Sequence, residues 1–178
     1  MSKWLVTFLT VSLPALVFAQ PPIGTQRPNV AFEDSWERPD AFDNYAGMPM
    51  LLLYEDRGSA KLNADFKKEL TEVAQDGGYK GIVAFMPVAD MSSYDYWPVR
   101  GFARRSVQKQ SMATRTNIIC DWHGTIRETL ALTRDTSNVV LYDKEGKVVF
   151  AHAGAMPPEQ RATLFALLKV QVDAVQKR

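Results

Sequence analysis

Few residues of this sequence could carry nucleophilic or redox chemistry. Cys120 is the only cysteine among the 178 residues, and Asp121 and His123 follow it closely. A thiol near a carboxylate and a histidine can act as an activated nucleophile. Neighbouring residues of a strand point to opposite faces, however, so Cys120 and Asp121 would cooperate only if the strand ended between them. Cys120 closes a short apolar run, so we expect a buried thiol and keep it as the weak catalytic candidate.

Metal or cofactor chemistry finds little support in the sequence. His123 and His152 are the only histidines, and they lie on separate elements. With a single cysteine, they give none of the ligand spacings that are typical of protein metal sites. We therefore expect neither a metal nor a cofactor.

A candidate binding site lies in the turn after the first apolar run. Arg57, Gly58, Ser59 and Lys61 precede an amphipathic segment there. The unpaired N–H groups and the dipole of a helix N-terminus attract anions, and two cations flank this one. The alternative is that Ser59 simply caps the helix while the cations are solvated, and the acidic pair at residues 55–56 favours it.

Apolar patterning predicts alternating strands and helices that would position these residues. The predicted strands are Met50–Tyr54, Gly81–Met86, Asn117–Cys120, Asn138–Tyr142 and Lys147–Ala151. The predicted helices are Ala60–Gln75, a helix from Pro98, Thr125–Leu132 and a last helix from Pro157. Parallel units followed by an antiparallel hairpin and a helix indicate one α/β domain with a mixed central sheet and helices on both faces.

Local signals set the expected details of these helices. The first helix has one apolar stripe, formed by Leu62, Phe66, Leu70 and Val73. The third begins with Thr125 and Glu128 in the spacing of a capping box. The second should bury Val99, Phe102, Ala103, Ser106 and Val107 and expose a basic face, which contains Arg100, Arg104, Arg105, Lys109 and Arg115.

The first twenty residues have the pattern of a cleaved secretory signal. Lys3 precedes an apolar stretch, and the small residue Ala19 suits a cleavage site before Gln20. The alternative, a retained anchor helix, is disfavoured because the stretch is too short for a membrane span, and no later segment reaches the roughly 18 unbroken apolar residues required. We expect a signal peptide at residues 1–19, a mature domain at 20–178 with an N-terminal extension at 20–46, and a periplasmic location.

The charge balance argues against nucleic acid as a partner. The chain has 21 basic and 20 acidic residues, and removal of Lys3 with the signal would leave the mature chain neutral. Nucleic-acid-binding domains usually carry a strong positive excess. The basic face of the second helix is the one feature that favours an anionic partner.

Several motifs resemble those of redoxin domains. The run from Gly47 to Tyr54 is similar to their first core strand, Asp121-Trp122-His123-Gly124-Thr125 to their entry into a short helix, and 139–148 to their hairpin. Arg57–Lys61 and the run from Ser137 to Glu159 further resemble the YtfJ family of exported bacterial proteins, over roughly residues 50–170. The resemblance implies a thioredoxin-like three-layer sandwich of the peroxiredoxin-like branch and an exported protein.

The redox positions depart from the thioredoxin pattern. Gly58-Ser59-Ala60-Lys61 stands where a thioredoxin has CxxC, so both sulfurs required for dithiol exchange are missing. Thr136-Ser137-Asn138 stands where redox members carry a cis-proline, so we expect a trans peptide and count Ser137 with the binding candidates.

Three functions remain open at this stage. The first is a redox-inactive periplasmic protein that binds another protein or a small ligand. The second is a thiol oxidoreductase or peroxidase that uses Cys120. The third is the transcriptional regulator that the family's label suggests, which the neutral charge and the expected export oppose.

Overall fold

The computed structural model describes residues 20–75 and 78–177, so the predicted signal peptide lies outside the described residues. The strands are β1 (Ala31–Glu33), β2 (Pro39–Ala41), β3 (Met50–Glu55), β4 (Ala84–Asp90), β5 (Ile119–Asp121), β6 (Asn138–Tyr142) and β7 (Val148–Ala153). The α-helices are α1 (Ala64–Gln75), α2 (Val99–Thr114), α3 (Thr125–Thr129) and α4 (Pro158–Gln176).

Five strands form a mixed sheet in the order β5-β4-β3-β6-β7. β3, β4 and β5 are parallel, whereas β6 is antiparallel to both β3 and β7. Parallel strands need crossover helices, and α1 and α2 supply them. The predicted α/β class with a mixed sheet is confirmed.

The central strand β3 is buried on both faces, as its unbroken apolar run predicts. Leu51 and Leu53 pack with Phe66 of α1 and with the inner side of α4. Residues of the other parity, among them Leu52, pack with α3 and the N-terminal segment. Helices therefore cover both faces of the sheet, and their apolar stripes enclose two separate cores.

The N-terminal extension contains the short antiparallel hairpin β1–β2 and covers two edges of the sheet. Asp34 bridges to Ile119 of the edge strand β5. At the other edge, the Gly24 N–H donates to the Val148 carbonyl at 2.8 Å, and the Val148 N–H donates to the Thr25 carbonyl at 3.0 Å. Pairing of this kind satisfies backbone groups that an open edge strand would leave exposed.

Helix α1 begins later than predicted. A series of turns occupies residues 57–63, and the regular helix starts at Ala64 rather than at Ala60. Leu62 therefore lies before the helix and is 48% exposed, whereas Phe66 is 1% exposed. The predicted apolar stripe of α1 is correct from Phe66 onward, but its first residue, Leu62, was wrongly included.

Strand β4 runs from Ala84 to Asp90, through the proline that was expected to end it. Pro87 lacks an N–H, so it cannot form ladder hydrogen bonds with neighbouring strands on both sides. β5 pairs with β4 only from Val88 onward, so Pro87 has a neighbouring strand on one side only. The late start of β5, at Ile119, is what makes the proline compatible with a central strand.

Helix α2 presents a different face to the protein from the one predicted. Phe102 is 65% exposed, whereas Val107 and Ser111 are buried. Arg100 and Arg104 lie on the packed side with them, over the ring of Trp122. The sequence pattern failed because an arginine can bury its stem while its guanidinium pairs with acids.

The C-terminal part agrees with the sequence. β6 and β7 form the predicted hairpin, and Gly146 has the positive φ of 80° that its turn requires. In α4, Leu164, Leu168 and Val172 are buried as expected. In the part of the chain that the structure describes, no helix combines the length and the apolar character that crossing a membrane demands.

Candidate functional site

Polar side chains gather where the three parallel strands end. Tyr54 lies near the end of β3, Asp90 ends β4 and Asp121 ends β5. Because the carboxyl ends of parallel strands meet at one edge of the sheet, these residues become neighbours, and Arg127 of α3 joins them. All four are at most 9% exposed. Ligands of open α/β sheets bind at this edge, which makes it the candidate site.

Asp121 ties β3, β5 and α3 together. Its Oδ2 accepts hydrogen bonds from the Tyr54 hydroxyl at 3.0 Å and from the backbone N–H groups of Ile126 at 3.0 Å and Arg127 at 3.2 Å. Burial raises the pKa of Asp121, and these hydrogen bonds offset only part of that rise. Asp121 therefore serves the start of α3, and the predicted capping box of Thr125 and Glu128 does not: the helix N-cap is Gly124, with no side-chain cap.

Asp90 pairs with Arg127. The Arg127 guanidinium donates to Asp90 Oδ2 at 2.6 Å, and the Ser92 hydroxyl and N–H donate to Asp90 Oδ1 at 2.6 and 3.0 Å. Burial pushes the pKa of Asp90 upward, but hydrogen bonds from Ser92, Tyr54 and Arg127 outweigh it and hold that pKa below its ordinary value. Asp90 is therefore an anion held by a buried cation, with no proton to give at neutral pH.

A small cleft opens beside this buried network. Asp90 and Ser92 belong to both, so the network forms one wall of the cleft. The cleft is lined by Asp56, Arg57, Gly58, Asp90, Ser92, Ser93, Tyr94, Arg134 and Asp135. Two arginines and three aspartates around one opening suit a ligand that carries hydrogen-bonding groups of both charges. We call these nine residues the carboxyl-edge cleft.

The turn that the sequence resemblance assigns to the CxxC position is closed by its own hydrogen bonds. The Ser59 N–H donates to Asp56 Oδ1 at 2.7 Å, and the Asp56 N–H donates to the Ser59 hydroxyl at 3.0 Å. Ser59 is 2% exposed. It therefore holds the turn together, and it does not cap α1, which begins five residues later.

A second polar network fills the space behind this turn. The Asn63 amide donates to the Ser137 hydroxyl at 2.8 Å and to the Gly154 carbonyl at 3.0 Å, and its Oδ1 accepts from the Met156 N–H at 2.8 Å. The Ser137 hydroxyl in turn donates to Glu55 at 2.9 Å. Ser137 is fully buried and its hydroxyl is already engaged. The peptide before it is trans, as expected; the cis bond in the described residues is Trp97–Pro98.

The structure divides the five predicted binding residues. Arg57 and Gly58 line the carboxyl-edge cleft. Lys61 is exposed outside it, and Ser59 and Ser137 are buried in hydrogen-bond networks. The sequence analysis missed Asp90 and Arg127, although a carboxylate directly after an apolar strand is a signal that could have indicated the first. Nothing local distinguishes Arg127 from a solvated arginine.

Cys120 does not line the carboxyl-edge cleft. It is 3% exposed and packs with Met91, Val107 and Trp122 beneath α2. Burial raises the pKa of the Cys120 thiol to about 12, although Arg104 counteracts part of the rise. Asp121 lies on the opposite face of β5 and contacts Tyr54, so the two residues do not form a catalytic pair.

The two histidines are engaged separately. His123 Nδ1 lies 3.1 Å from Asp95, and the His152 Nε2 lies 3.1 Å from the Ala155 carbonyl oxygen. Across residues 20–75 and 78–177, no group of three or more His, Cys, Asp or Glu side chains is arranged to hold a metal ion.

Comparison with known sequences gives one family. The model of a family described as "Bacterial protein of unknown function (YtfJ_HI0045)" matches residues 90–171. The match includes Asp90, Asp121 and Arg127 but begins after the predicted turn at Arg57–Lys61. No curated protein matches the chain.

Comparison with solved structures identifies the fold. A candidate protein disulfide isomerase from Bacteroides thetaiotaomicron superposes with a TM-score of 0.68 at 15% identity, covering 88% of this chain and 93% of its own. The thiol peroxidase from Chromobacterium violaceum superposes with a TM-score of 0.60 at 10% identity, covering 84% of this chain and 87% of its own. A candidate thiol:disulfide interchange protein DsbE from Chlorobium tepidum superposes with a TM-score of 0.61 at 15% identity, covering 86% of this chain and 99% of its own. The chain thus has a thioredoxin-like fold without a CxxC pair, and residues 90–171 match the model of the YtfJ family.

Proposed function

We propose that this chain is an exported, non-catalytic binding protein that holds a polar ligand in the carboxyl-edge cleft. The observation that carries the proposal is the closed turn of Asp56 and Ser59, at the position where redox members of this fold place their attacking and resolving thiols. A turn with no sulfur and no free hydroxyl supplies no nucleophile. The carboxyl edge of the sheet can still bind a ligand, but the thiols for dithiol exchange are missing.

The charges of the cleft indicate the class of ligand. Arg57 and Arg134 lie at its exposed rim together with Asp135, whereas Asp90 is buried and already paired with Arg127. Arg57, which has no ion pair among the described residues, is available to a carboxylate or phosphate group. Asp135 can accept an amine or amide, because its exposed ion pair with Arg134, at 4.0 Å, is weak. A segment of a partner protein or a small zwitterionic molecule satisfies both.

Capture by a purified cleft tests this proposal. The immobilised chain is incubated with a periplasmic extract, alongside an Arg57→Glu/Arg134→Glu variant and a Lys144→Glu/Lys169→Glu variant of equal net charge. We expect the wild type and the second variant to retain the same species, and the cleft variant to lose it. Equal retention by all three would contradict binding at the cleft. A thermal-shift measurement with the small-molecule fraction of the same extract makes the same comparison for a low-molecular-weight ligand.

The alternative function is a thiol oxidoreductase or peroxidase that uses Cys120. The named activities of the structural neighbours support it, and the burial of Cys120 opposes it, because a reactive thiol must be accessible and largely ionised. We expect native Cys120 to react with a maleimide at least about a hundredfold more slowly than the unfolded chain. Fast native labelling, together with peroxide consumption that Cys120→Ala abolishes, would establish the alternative.

Export is the part of the proposal that rests on sequence pattern alone. We expect the protein recovered by osmotic shock to begin at Gln20. An intact Met1 in the cytoplasmic fraction would contradict it and would favour the regulator function.

A further inference from the structure

The outward side of α2 and the turn before it carry an unusual set of exposed apolar side chains. Trp97 is 91% exposed, Phe102 65%, Met112 64% and Tyr96 59%. Phe102, Arg105, Lys109 and Met112 follow one another at intervals of three and four residues, so they share one side of the helix. We call the α2 outer surface the set of Tyr96, Trp97, Phe102, Arg105, Lys109 and Met112.

The α2 outer surface is positively charged. Helix α2 contains no acidic residue. The nearby acids are engaged elsewhere: Glu33, Glu37 and Asp95 pair with Arg100 and Arg104 on the packed side of the helix. Among the described residues, no ion pair involves Arg105 or Lys109. The Arg105 guanidinium carbon lies 4.7 Å from the centroid of the Phe102 ring, so cation and aromatic ring form one continuous surface.

From this combination we infer that the α2 outer surface docks on an anionic lipid bilayer. Tryptophan and tyrosine rings favour the boundary between head groups and acyl chains, because one end of the ring is apolar and the other can hydrogen-bond. Lysine and arginine reach the phosphates while their stems lie along apolar surface. Phe102, Arg105, Lys109 and Met112 project from one side of α2, and a deformable bilayer accepts such a surface without a matching pocket.

Helix α4 supplies the internal comparison. Val170 on α4 is 58% exposed and Lys169 is also exposed. Helix α4 has no exposed aromatic residue. It therefore presents an exposed apolar side chain beside a lysine, as α2 does, but without an aromatic ring to anchor it. The inference therefore predicts that α4 contributes nothing to bilayer binding. Charge reversals on α1 and α4 provide a control with the same change in net charge.

The test uses the protein as recovered from an expressing bacterium, with vesicles of phosphatidylcholine alone or mixed with phosphatidylglycerol. We expect co-sedimentation with the mixed vesicles, a blue shift of tryptophan emission, and weakening by added salt. Each cation near an anionic surface contributes about fivefold to the binding constant. Arg105→Glu/Lys109→Glu should therefore weaken binding by at least about tenfold, and so should Trp97→Ser/Phe102→Ser. Lys68→Glu/Lys169→Glu should leave it unchanged.

Four outcomes would overturn the inference. Equal binding to both kinds of vesicle would indicate an apolar segment such as residues 1–19 rather than a charged surface. Equal weakening by the α2 variants and the Lys68→Glu/Lys169→Glu control would indicate net charge alone. Binding to soluble polyglutamate without binding to vesicles would identify an acidic protein as the partner. Glycerol phosphate, a head group without acyl chains, should not compete, and full competition by it would reduce the surface to a phosphate site.

Discussion

The guanidinium of Arg127 lies 2.6 Å from the carboxylate of Asp90, and both side chains are only 9% exposed. The two residues come from α3 and β4, 37 positions apart in the chain. A buried ion pair is not an efficient way to stabilise a protein, but loss of one member leaves the other charge largely buried and without its partner. The pair therefore makes this edge of the sheet sensitive to single substitutions.

Arg127→Met should lower the free energy of unfolding by about 3 to 5 kcal/mol, because it leaves Asp90 buried and unpaired. The double variant Asp90→Asn/Arg127→Met should recover part of the loss, since neither charge then remains. Urea unfolding measures both. Arg134→Met, at the exposed rim, is the matched control and should change stability by less than about 0.5 kcal/mol. A loss in the double variant equal to the sum of both single losses would contradict the coupling.

The two buried aspartates should respond to pH in opposite directions. Asp90 has a pKa below its ordinary 3.8 in the folded protein, so its contribution is present above about pH 4 and is lost as the pH falls through the folded value. The pKa of Asp121 is raised above 3.8, so its ionisation costs stability as the pH rises from about 4 through the folded value.

Substitution by asparagine separates these contributions. The stability difference between wild type and Asp90→Asn should shrink as the pH falls below about 4. The stability of Asp121→Asn relative to wild type should instead increase as the pH rises above that value. Unfolding free energies measured in urea from acid to neutral pH check both slopes. Expressed for both variants as variant minus wild type, the difference should fall with rising pH for Asp90→Asn and rise with pH for Asp121→Asn. Two slopes of the same sign on that common definition would show that the assignment of the buried charge is wrong.

Gly124→Ala should be more destabilising than an ordinary glycine substitution. Gly124 has a φ of 71°, and a Cβ at this position would lie 2.5 Å from Nη2 of Arg127. Gly47→Ala, with a φ of 82° and open space around the Cβ, isolates the backbone cost of about 1 to 2 kcal/mol. Gly124→Ala should exceed that cost because the guanidinium must also move away from Asp90. Thermal unfolding of the two variants tests this, and equal losses would show that Arg127 shifts freely.

Asn63→Ala should lower the unfolding free energy by about 2 to 4 kcal/mol, because it leaves the buried Met156 N–H and Gly154 carbonyl without their partner. Asn44→Ala removes an exposed hydrogen bond from the Asn44 amide to Asp40 and should lower the unfolding free energy by less than about 1 kcal/mol. Chemical unfolding compares them. A small effect at Asn63 would indicate that water replaces the amide, and that the space behind the closed turn is accessible.

The order of strands and helices could be predicted because it depends on local periodicity. A short, unbroken apolar run such as Met50–Tyr54, preceded by Gly47 and Pro49, indicates a strand buried on both faces, and the spacing of Leu164, Leu168 and Val172 indicates a helix with one inner side. The absence of a CxxC pair is likewise a property of the sequence itself. These features need no knowledge of which elements meet.

The site depended on tertiary structure, because its residues act through partners distant in the chain. In the sequence, Arg127 has the pattern of a surface residue, but α3 places it against Asp90. Arg100 has the same pattern, but in the fold Trp122 and Glu33 lie beside it. The sequence determined that the chain forms a thioredoxin-like α/β sandwich with no dithiol. Only the tertiary structure decided which charges are buried and which α2 side chains face solvent, because burial of a charge requires an opposite charge or an aromatic ring from another element.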